Sequence, residues 1–303
     1  MARAILLPGK LTVREPLVSV VMSVHDGAGT VAAAIRSILW QTFPDWELIL
    51  VNDASTDDTG GICRRFQDPR IRVIDEMEQR GLAVRLNQAV NSARGKYIAR
   101  MDADDIAYPE RFARQVDYLE SHLMVDLVGN GAVLFKRKGE VVGLYPRAIS
   151  HEDICRRPWW GFPLAHPTWM GKRSWFMNER YDERLVKGQD QELLLRTYRK
   201  SRFASLPECL LGYRIENISV QKSARGRVAY CRRLLADSDD LPSLVHAIRG
   251  IGVHSIALAR DFVFDLVGTV GEKSRRSYLP ADQSVRAQWE IIWNRSVSEQ
   301  ACS

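Results

Sequence analysis

Short apolar runs alternate with segments of helical spacing through the N-terminal third of the chain, and that alternation constrains the fold more than any single motif. Residues 17–24 (LVSVVMSV) and 46–51 (WELILV) are almost continuously apolar, and 71–74 and 97–101 (YIARM) follow in the same manner. A run without polar alternation is a strand buried on both faces, as in a parallel sheet covered by helices. Between the runs, Thr30 stands where it can cap a helix reaching Gln41, with Val31, Ala34, Ile35 and Ile38 on one side. A short helix is expected over 59–66 and a longer one over 82–93, closed by Gly95. Such crossovers wind right-handed, so the expected fold class is α/β: a doubly wound, mostly parallel sheet flanked by helices.

Pro109 falls at the favoured first position of a further helix through Arg111, Phe112, Val116 and Leu119. Residues 127–135 and 141–144 read as strands of a mixed continuation, joined by a turn at 136–140. From about Arg225 the pattern turns helical, with Leu241, Leu244, Val245, Ile248, Ala259, Phe262, Val263, Leu266 and Val267 near helical spacing. The 303 residues thus divide into a lead segment (1–16), a main α/β domain (17–222) and a C-terminal helical extension (223–303). The extension's apolar side is expected to pack on the main domain or on a partner subunit.

In an open parallel sheet, ligands bind beyond the carboxyl ends of the strands. The residues there are polar and acidic: Ser23-Val24-His25-Asp26 after the first strand, Asn52-Asp53 after the second, and Asp102-Ala103-Asp104-Asp105 after the fourth. A carboxylate rim repels a bare anion but suits an anion carried by a hard divalent cation. In an extended stretch Asp102 and Asp104 would point the same way and could hold Mg²⁺ or Mn²⁺ on a diphosphate. The plainer reading, that these acids cap the helix near Pro109, competes with it. Neither G-x-G-x-x-G after the first strand nor G-x-x-x-x-G-K-[ST] occurs, which removes support for dinucleotide and P-loop sites.

Charge and cysteine usage narrow the setting. The five cysteines (Cys63, Cys155, Cys209, Cys231, Cys302) are scattered and never form C-x-x-C, so neither a disulfide framework nor a zinc knuckle is indicated, and a cytoplasmic location is expected. The longest stretch without a charge, 158–171, is too short to span a bilayer, and the apolar run 4–7 is too short for a secretory signal. Net charge is +6, concentrated in 222–233, which carries Lys222, Arg225, Arg227, Arg232 and Arg233 and no acid. With no nucleic-acid module present, the expected anionic partner is the inner membrane surface or a phosphorylated ligand, not nucleic acid.

Four segments in this order resemble the family 2 glycosyltransferases: VSVVMSVHDG (18–27), ELILVNDASTDDT (47–59), ARGKYIARMDADD (93–105) and RYDERLVKGQDQELLLR (180–196). RGLAVRLNQAV (80–90) and HPTWM (166–170) are similar to the family as well. The resemblance covers roughly 17–220 and implies a GT-A fold and a nucleotide-sugar donor. It implies that Ser23, Val24, His25 and Asp26 line the base and ribose, with His25 where the family often has tyrosine. It assigns Asp53 to the base, usually uracil, Arg80 to the nucleotide, and Asp102 and Asp104 to the metal-binding pair, Asp104 the more direct ligand. Asp190 matches the proposed general base, preceded here by Gln189 where glutamate is common.

The absence of a Q-x-x-R-W segment favours transfer of one sugar over polymerisation. The expected enzyme is an inverting, metal-dependent glycosyltransferase that moves one sugar, from UDP above all, to a saccharide or lipid-linked saccharide of the cell envelope. His166, Trp159 and Trp160 are the candidate acceptor contacts, each weighed against an ordinary packing role. Two alternatives stand beside it. One is a catalytically silent nucleotide-sugar-binding scaffold. The other is a sugar nucleotidyltransferase, disfavoured because residues 25–34 hold no Lys or Arg for a triphosphate. Oligomeric state is left open.

Overall fold

A computed structural model describes residues 15–146, 148–215, 220–266 and 278–298. Most of the lead segment, the run 4–7, Val267 and Cys302 lie outside the described residues, as do the side chains of Lys222 and Leu266. The first half of the main domain is β1 (Val18–Val24), α1 (Val31–Leu39), β2 (Trp46–Asn52), α2 (Thr59–Arg64), β3 (Ile71–Asp75), α3 (Leu82–Ser92) and β4 (Tyr97–Arg100). Then come β5 (Ile106–Ala107), α4 (Arg111–Ser121), β6 (Leu127–Phe135), β7 (Val141–Leu144), α5 (His151–Ile154), β8 (Met170–Lys172), α6 (Arg173–Asn178), α7 (Gln189–Thr197) and β9 (Phe203–Arg214). Helices α8 (Val220–Ala236), α9 (Leu241–Leu266) and α10 (Gln283–Val297) complete the chain.

One sheet runs in the order β3-β2-β1-β4-β8-β6-β9-β5, with β7 on β6. The strands β3, β2, β1 and β4 are mutually parallel, as the crossover pattern requires. Beyond β4 the sheet is mixed: β8 is antiparallel to β4 and β6, whereas β6 and β9 are parallel. Alternation of side chains along each strand divides the core in two. Val18, Val20 and Met22, with Leu48 and Leu50, pack against Val31, Ala34, Ile35 and Ile38 of α1 and against Phe112, Val116 and Leu119 of α4. Val21, Ile49, Val51 and Ile98 pack on the other face against Ala83, Leu86, Ala89 and Val90 of α3.

Two helix starts differ from expectation. Thr30 makes no capping bond; its hydroxyl donates to the Gly27 carbonyl at 3.3 Å. Pro109 lies just before the N-cap Glu110, outside the first turn.

The C-terminal helices divide in their attachment. Helix α10 inserts Trp289 and Ile292 into a third core with Tyr108, Val133 and Phe135. The Trp289 ring lies 4.6 Å from that of Phe135, and its Nε1 donates to the Gly139 carbonyl at 2.7 Å. Its approach to β9 admits only glycine at 212, where a Cβ would come within 2.1 Å of the indole. Helix α9 packs on α8 through small residues, Ser243, Ala247, Gly250 and Ala257, together with His254. The large apolar residues of α9 point outward: Leu241, Leu244, Val245, Ile248, Phe262 and Val263 are exposed. Of the two expected partners, a partner subunit and the main domain, the main domain does not cover them. The cause is the hairpin's tight seam, since a Cβ on Gly250 would meet the Leu234 side chain at 2.3 Å. By length and composition alone, 241–263 is also apolar enough to cross a membrane, which the count of uncharged residues missed because Arg249, Arg260 and Asp261 interrupt it.

Removing the Trp289 anchor leaves a cavity in a filled core. The Trp289→Ala variant is expected to lose about 3–5 kcal/mol of stability in urea unfolding. A loss below 1 kcal/mol, the size of one ordinary surface change, would mean that α10 is not held by this core.

Candidate active site

The carboxyl ends of β1 and β2 are tied together before any ligand is considered. The Asp53 amide donates to the Val24 carbonyl at 2.8 Å. The Asp53 carboxylate accepts from the amides of Arg80 (2.9 Å) and Gly81 (2.8 Å) and from Nε of Arg85 (2.6 Å). Gly81 takes φ +87°, a conformation that favours glycine, and so turns both amides onto one carboxylate. Arg85 is buried and also meets Glu76 at 3.1 Å. Burial alone would raise the Asp53 pKa, but the Arg80 amide, Arg85 and the Gly81 amide together hold it below the ordinary carboxylate range. Asp53 therefore shapes the loop that carries Arg80, whose own side chain is exposed.

A second latch joins the loop after β1 to the start of α2. The Thr56 amide donates to the Asp26 carboxylate at 2.8 Å, and the Asp26 amide donates to Ser55 Oγ at 3.0 Å. His25 sits between the two, with Nδ1 2.9 Å from the Asp53 carbonyl and Nε2 3.4 Å from the Asp26 carboxylate. Ser23 is half-buried and Val24 buried beneath them, so this segment presents an exposed imidazole on a fixed backbone.

The four residues Asp102 to Asp105 are not extended. They form a turn closed by the Asp105 amide on the Asp102 carbonyl at 3.4 Å. The turn brings three carboxylates, those of Asp102, Asp104 and Asp105, within 4.8 Å of one another. Asp102 is paired with the buried Arg100. The Arg214 amide donates to Asp105 at 2.7 Å, and the Arg214 Nε donates to the Asp104 carbonyl at 2.9 Å. Burial, then the Asp102 charge, lifts Asp104 to about 6. Burial and the Asp104 and Asp102 charges raise Asp105 well above the carboxylate range. Asp105 was absent from the expected ligands, yet its Oδ2 is buried with no hydrogen-bond partner. The signal was present, since Asp105 directly precedes an apolar pair that must enter the sheet. Three carboxylates on one turn, one of them with a buried oxygen that has no partner, are the hard oxygen donors Mg²⁺ or Mn²⁺ requires, so these residues fit the implied cation.

Asp190 is the second residue of α7, whose N-cap Gly188 takes φ +79°. Its carboxylate makes no hydrogen bond with the described residues and lines a cavity of about 780 Å³. Gln191, the next residue of α7, also lines the cavity and grips the Phe162 backbone, accepting from its amide at 2.8 Å and donating to its carbonyl at 3.2 Å. Trp160 lines this cavity, and its ring stacks on that of His254 with centroids 6.3 Å apart. Trp159 does not; it packs against His246 of α9. His166 is buried away from it, with Nε2 2.7 Å from the Tyr181 hydroxyl, and burial followed by the Arg100 charge holds its pKa well below the ordinary value. His166 is thus placed as a structural, neutral imidazole. Sequence reasoning missed Tyr213, which lines the cavity and feels the charges of Asp102 and Asp105 after its burial. It also missed Tyr181, whose hydroxyl senses both Asp190 and Asp102.

The family model described as glycosyl transferase family 2 matches residues 19–178, over half of the chain. The chain belongs to glycosyl transferase family 2. The match spans β1 to α6 and so includes Asp53, Asp102, Asp104 and Asp105, while Asp190 lies beyond it. The Escherichia coli O-antigen biosynthesis glycosyltransferase WbnJ is 34% identical over 218 residues, 69% of this chain and 83% of its own. Two solved structures share the fold at 16% identity. The TarS 1–349 structure from S. aureus, in complex with UDP, superposes with a TM-score of 0.59 over 94% of this chain and 82% of its own. The mannosyltransferase PcManGT from Pyrobaculum calidifontis, in complex with GDP-Man and Mn²⁺, does so with a TM-score of 0.58 over 95% and 89%.

Two measurements check this geometry. Asp53→Asn leaves buried Arg85 without its closest charge and should cost about 3 kcal/mol in denaturant unfolding; no loss would mean that Asp53 does not hold the loop. Without metal, the folded form keeps the Asp104 proton up to about 6 while the unfolded chain has released it lower, so stability falls as pH rises through that interval. Added Mn²⁺ should therefore raise the melting temperature near neutral pH and lose this effect below about 6. An unchanged melting curve at neutral pH would count against a cation site in this turn.

Proposed function

We propose that this chain transfers a single sugar, with inversion, from a nucleotide-sugar donor, UDP-linked above all, to a saccharide or lipid-linked saccharide acceptor in cell-envelope polysaccharide or glycolipid synthesis. The carrying observation is Asp190, a carboxylate without a hydrogen-bond partner among the described residues, in the wall of a cavity whose Tyr213 adjoins the three-carboxylate turn. The TarS complex with UDP, the PcManGT complex with GDP-Man and Mn²⁺, and the O-antigen role of WbnJ support donor, cation and acceptor class respectively.

In this reading Ser23, Val24, His25 and Asp26 form one wall for the nucleoside, with Asp53 and Arg80 on the other. Asp104 and Asp102 hold the divalent cation, and Asp105 adds a third carboxylate. When bound, the cation offsets negative charge on the departing diphosphate. An acceptor hydroxyl is a weak nucleophile at neutral pH, so a carboxylate within reach must take its proton as the glycosidic bond forms. Asp190 is the base, since a carboxylate already engaged by several donors, as Asp53 is, has little proton affinity to offer. Trp160 supplies a flat apolar face at the acceptor entrance. One base and one leaving group fit a single displacement, which inverts the anomeric centre.

Calorimetric titration with UDP, GDP and dTDP, with Mn²⁺ and then with EDTA, tests the donor half. Metal-dependent binding that prefers UDP is expected, and no binding of any nucleotide would favour the silent scaffold. The Asp190→Asn variant should bind UDP as the parent does while transfer falls about a thousandfold. Normal turnover by that variant would remove Asp190 from the role.

A further inference from the structure

The loop before α7 and helix α8 enclose a second cavity, a groove of about 810 Å³. None of the residues assigned to the donor, the cation or the base lines it. Helix α8 borders both cavities. Gly226, Arg227 and Tyr230 line the Asp190 cavity, whereas Arg225, Val228 and Arg232, displaced around the same helix, line the groove. Lys187 lines both. The packing that places it there is close: a Cβ on Gly188 would meet the Gly226 Cα at 3.2 Å, and one on Gly226 would meet Lys187 Cγ at 3.6 Å. The two cavities therefore adjoin at Lys187.

The groove holds more positive charge than its acids absorb. Asp182 accepts from the Arg184 amide at 3.0 Å and from the Arg184 guanidinium at 2.7 Å. Glu192 is buried against two guanidinium groups, Arg196 at 3.2 Å and Arg233 at 3.9 Å. Lys187, Arg225 and Arg232 are exposed and make no hydrogen bond or ion pair with the described residues. Arg225 and Arg232 stand two turns apart on α8, roughly 10 Å along its axis, so with Lys187 they suit an extended anion better than a single phosphate. Val228 lies between the two arginines on the helix, and Leu185 and Val186 line the groove as well. Val186 is 80% and Val228 44% exposed, an apolar surface available to the uncharged part of an ester.

A transfer reaction binds donor and acceptor at once, so an anion on each needs its own site. The donor diphosphate belongs with the cation at the carboxylate turn, which contributes nothing to this groove. An acceptor seated at Asp190 has Lys187 beside it and, through Lys187, the groove.

We propose that the groove binds a diphosphate carried by the acceptor, through Lys187, Arg225 and Arg232. Its assignment to the acceptor rests on the reading of Asp190 as the base; the anion site itself does not.

Calorimetric titration of the full chain in EDTA tests it, because without a divalent cation the carboxylate turn repels phosphate. Inorganic pyrophosphate and farnesyl diphosphate are the probes, with farnesol as the uncharged control. Both diphosphates are expected to bind at one site, less tightly at high salt, and farnesyl diphosphate should still bind when Mn²⁺ and saturating UDP fill the donor site. Tighter binding of the farnesyl ester identifies a prenyl-type diphosphate, and equal binding a soluble sugar diphosphate. The Arg225→Gln/Arg232→Gln variant alters exposed positions only. It should weaken both diphosphates about tenfold while melting and binding Mn²⁺ with UDP as the parent does. No binding in EDTA, binding unchanged in the double variant, displacement by UDP, or equal binding of farnesol overturns the proposal. Binding of UDP with Mn²⁺ reports the donor site alone, so failure of the groove and failure of the donor reading give different results.

Discussion

Enclosure of β1 on both faces is the constraint from which the rest of this structure follows. A strand flanked by parallel β2 and β4, with α1 packed on one face and α3 on the other, has no position for a polar side chain other than its end. The chain answers with near-continuous apolar sequence through β1 and β2, where buried Ser19 and Glu47 hydrogen-bond each other at 2.7 Å, and with Asp26, Asp53, Asp102, Asp104 and Asp105 just past the carboxyl ends. Because the strands run the same way, those ends share one rim. The site therefore forms at the end of a sheet whose central strands are covered by helices on both faces.

On that rim the acids serve different ends according to their donors. Asp53 is surrounded by two amides and a guanidinium and is held firmly ionised as a structural anchor for the loop of Arg80. Asp104 and Asp105 have few donors and close negative neighbours, which leaves them protonated well above the ordinary range unless a cation joins them. Asp190, on α7, has no hydrogen-bond partner among the described residues and lines an open cavity. Local hydrogen-bond supply thus sets identical side chains apart, and the proposed roles of cation ligand and base follow that division.

Much of this was legible in the sequence. The parallel half of the sheet, its helices and Asp53, Asp102 and Asp104 could be located from apolar runs and strand ends, because each depends on chain-local pattern, whereas Asp190 was implied by the resemblance to the family. The errors came from long-range packing. Whether a histidine faces a cavity or a tyrosine is decided by a contact between residues 166 and 181, which no periodicity encodes. Trp159 and Trp160 are neighbours in sequence, yet one packs against α9 and the other lines the cavity.

The sequence by itself determined the strand and helix pattern, the acidic rim and the family, since burial on two faces and motif order leave few alternatives. Only the tertiary structure decided that Asp102 to Asp105 form a turn, which adds Asp105 to the carboxylate cluster. It alone showed that α9 turns its large apolar residues outward. Helical spacing identifies an apolar face but not its partner, and the small residues opposite it permit the close α8–α9 seam. The partner of a face is a property of three-dimensional packing, in which residues far apart in the chain compete for the same surface.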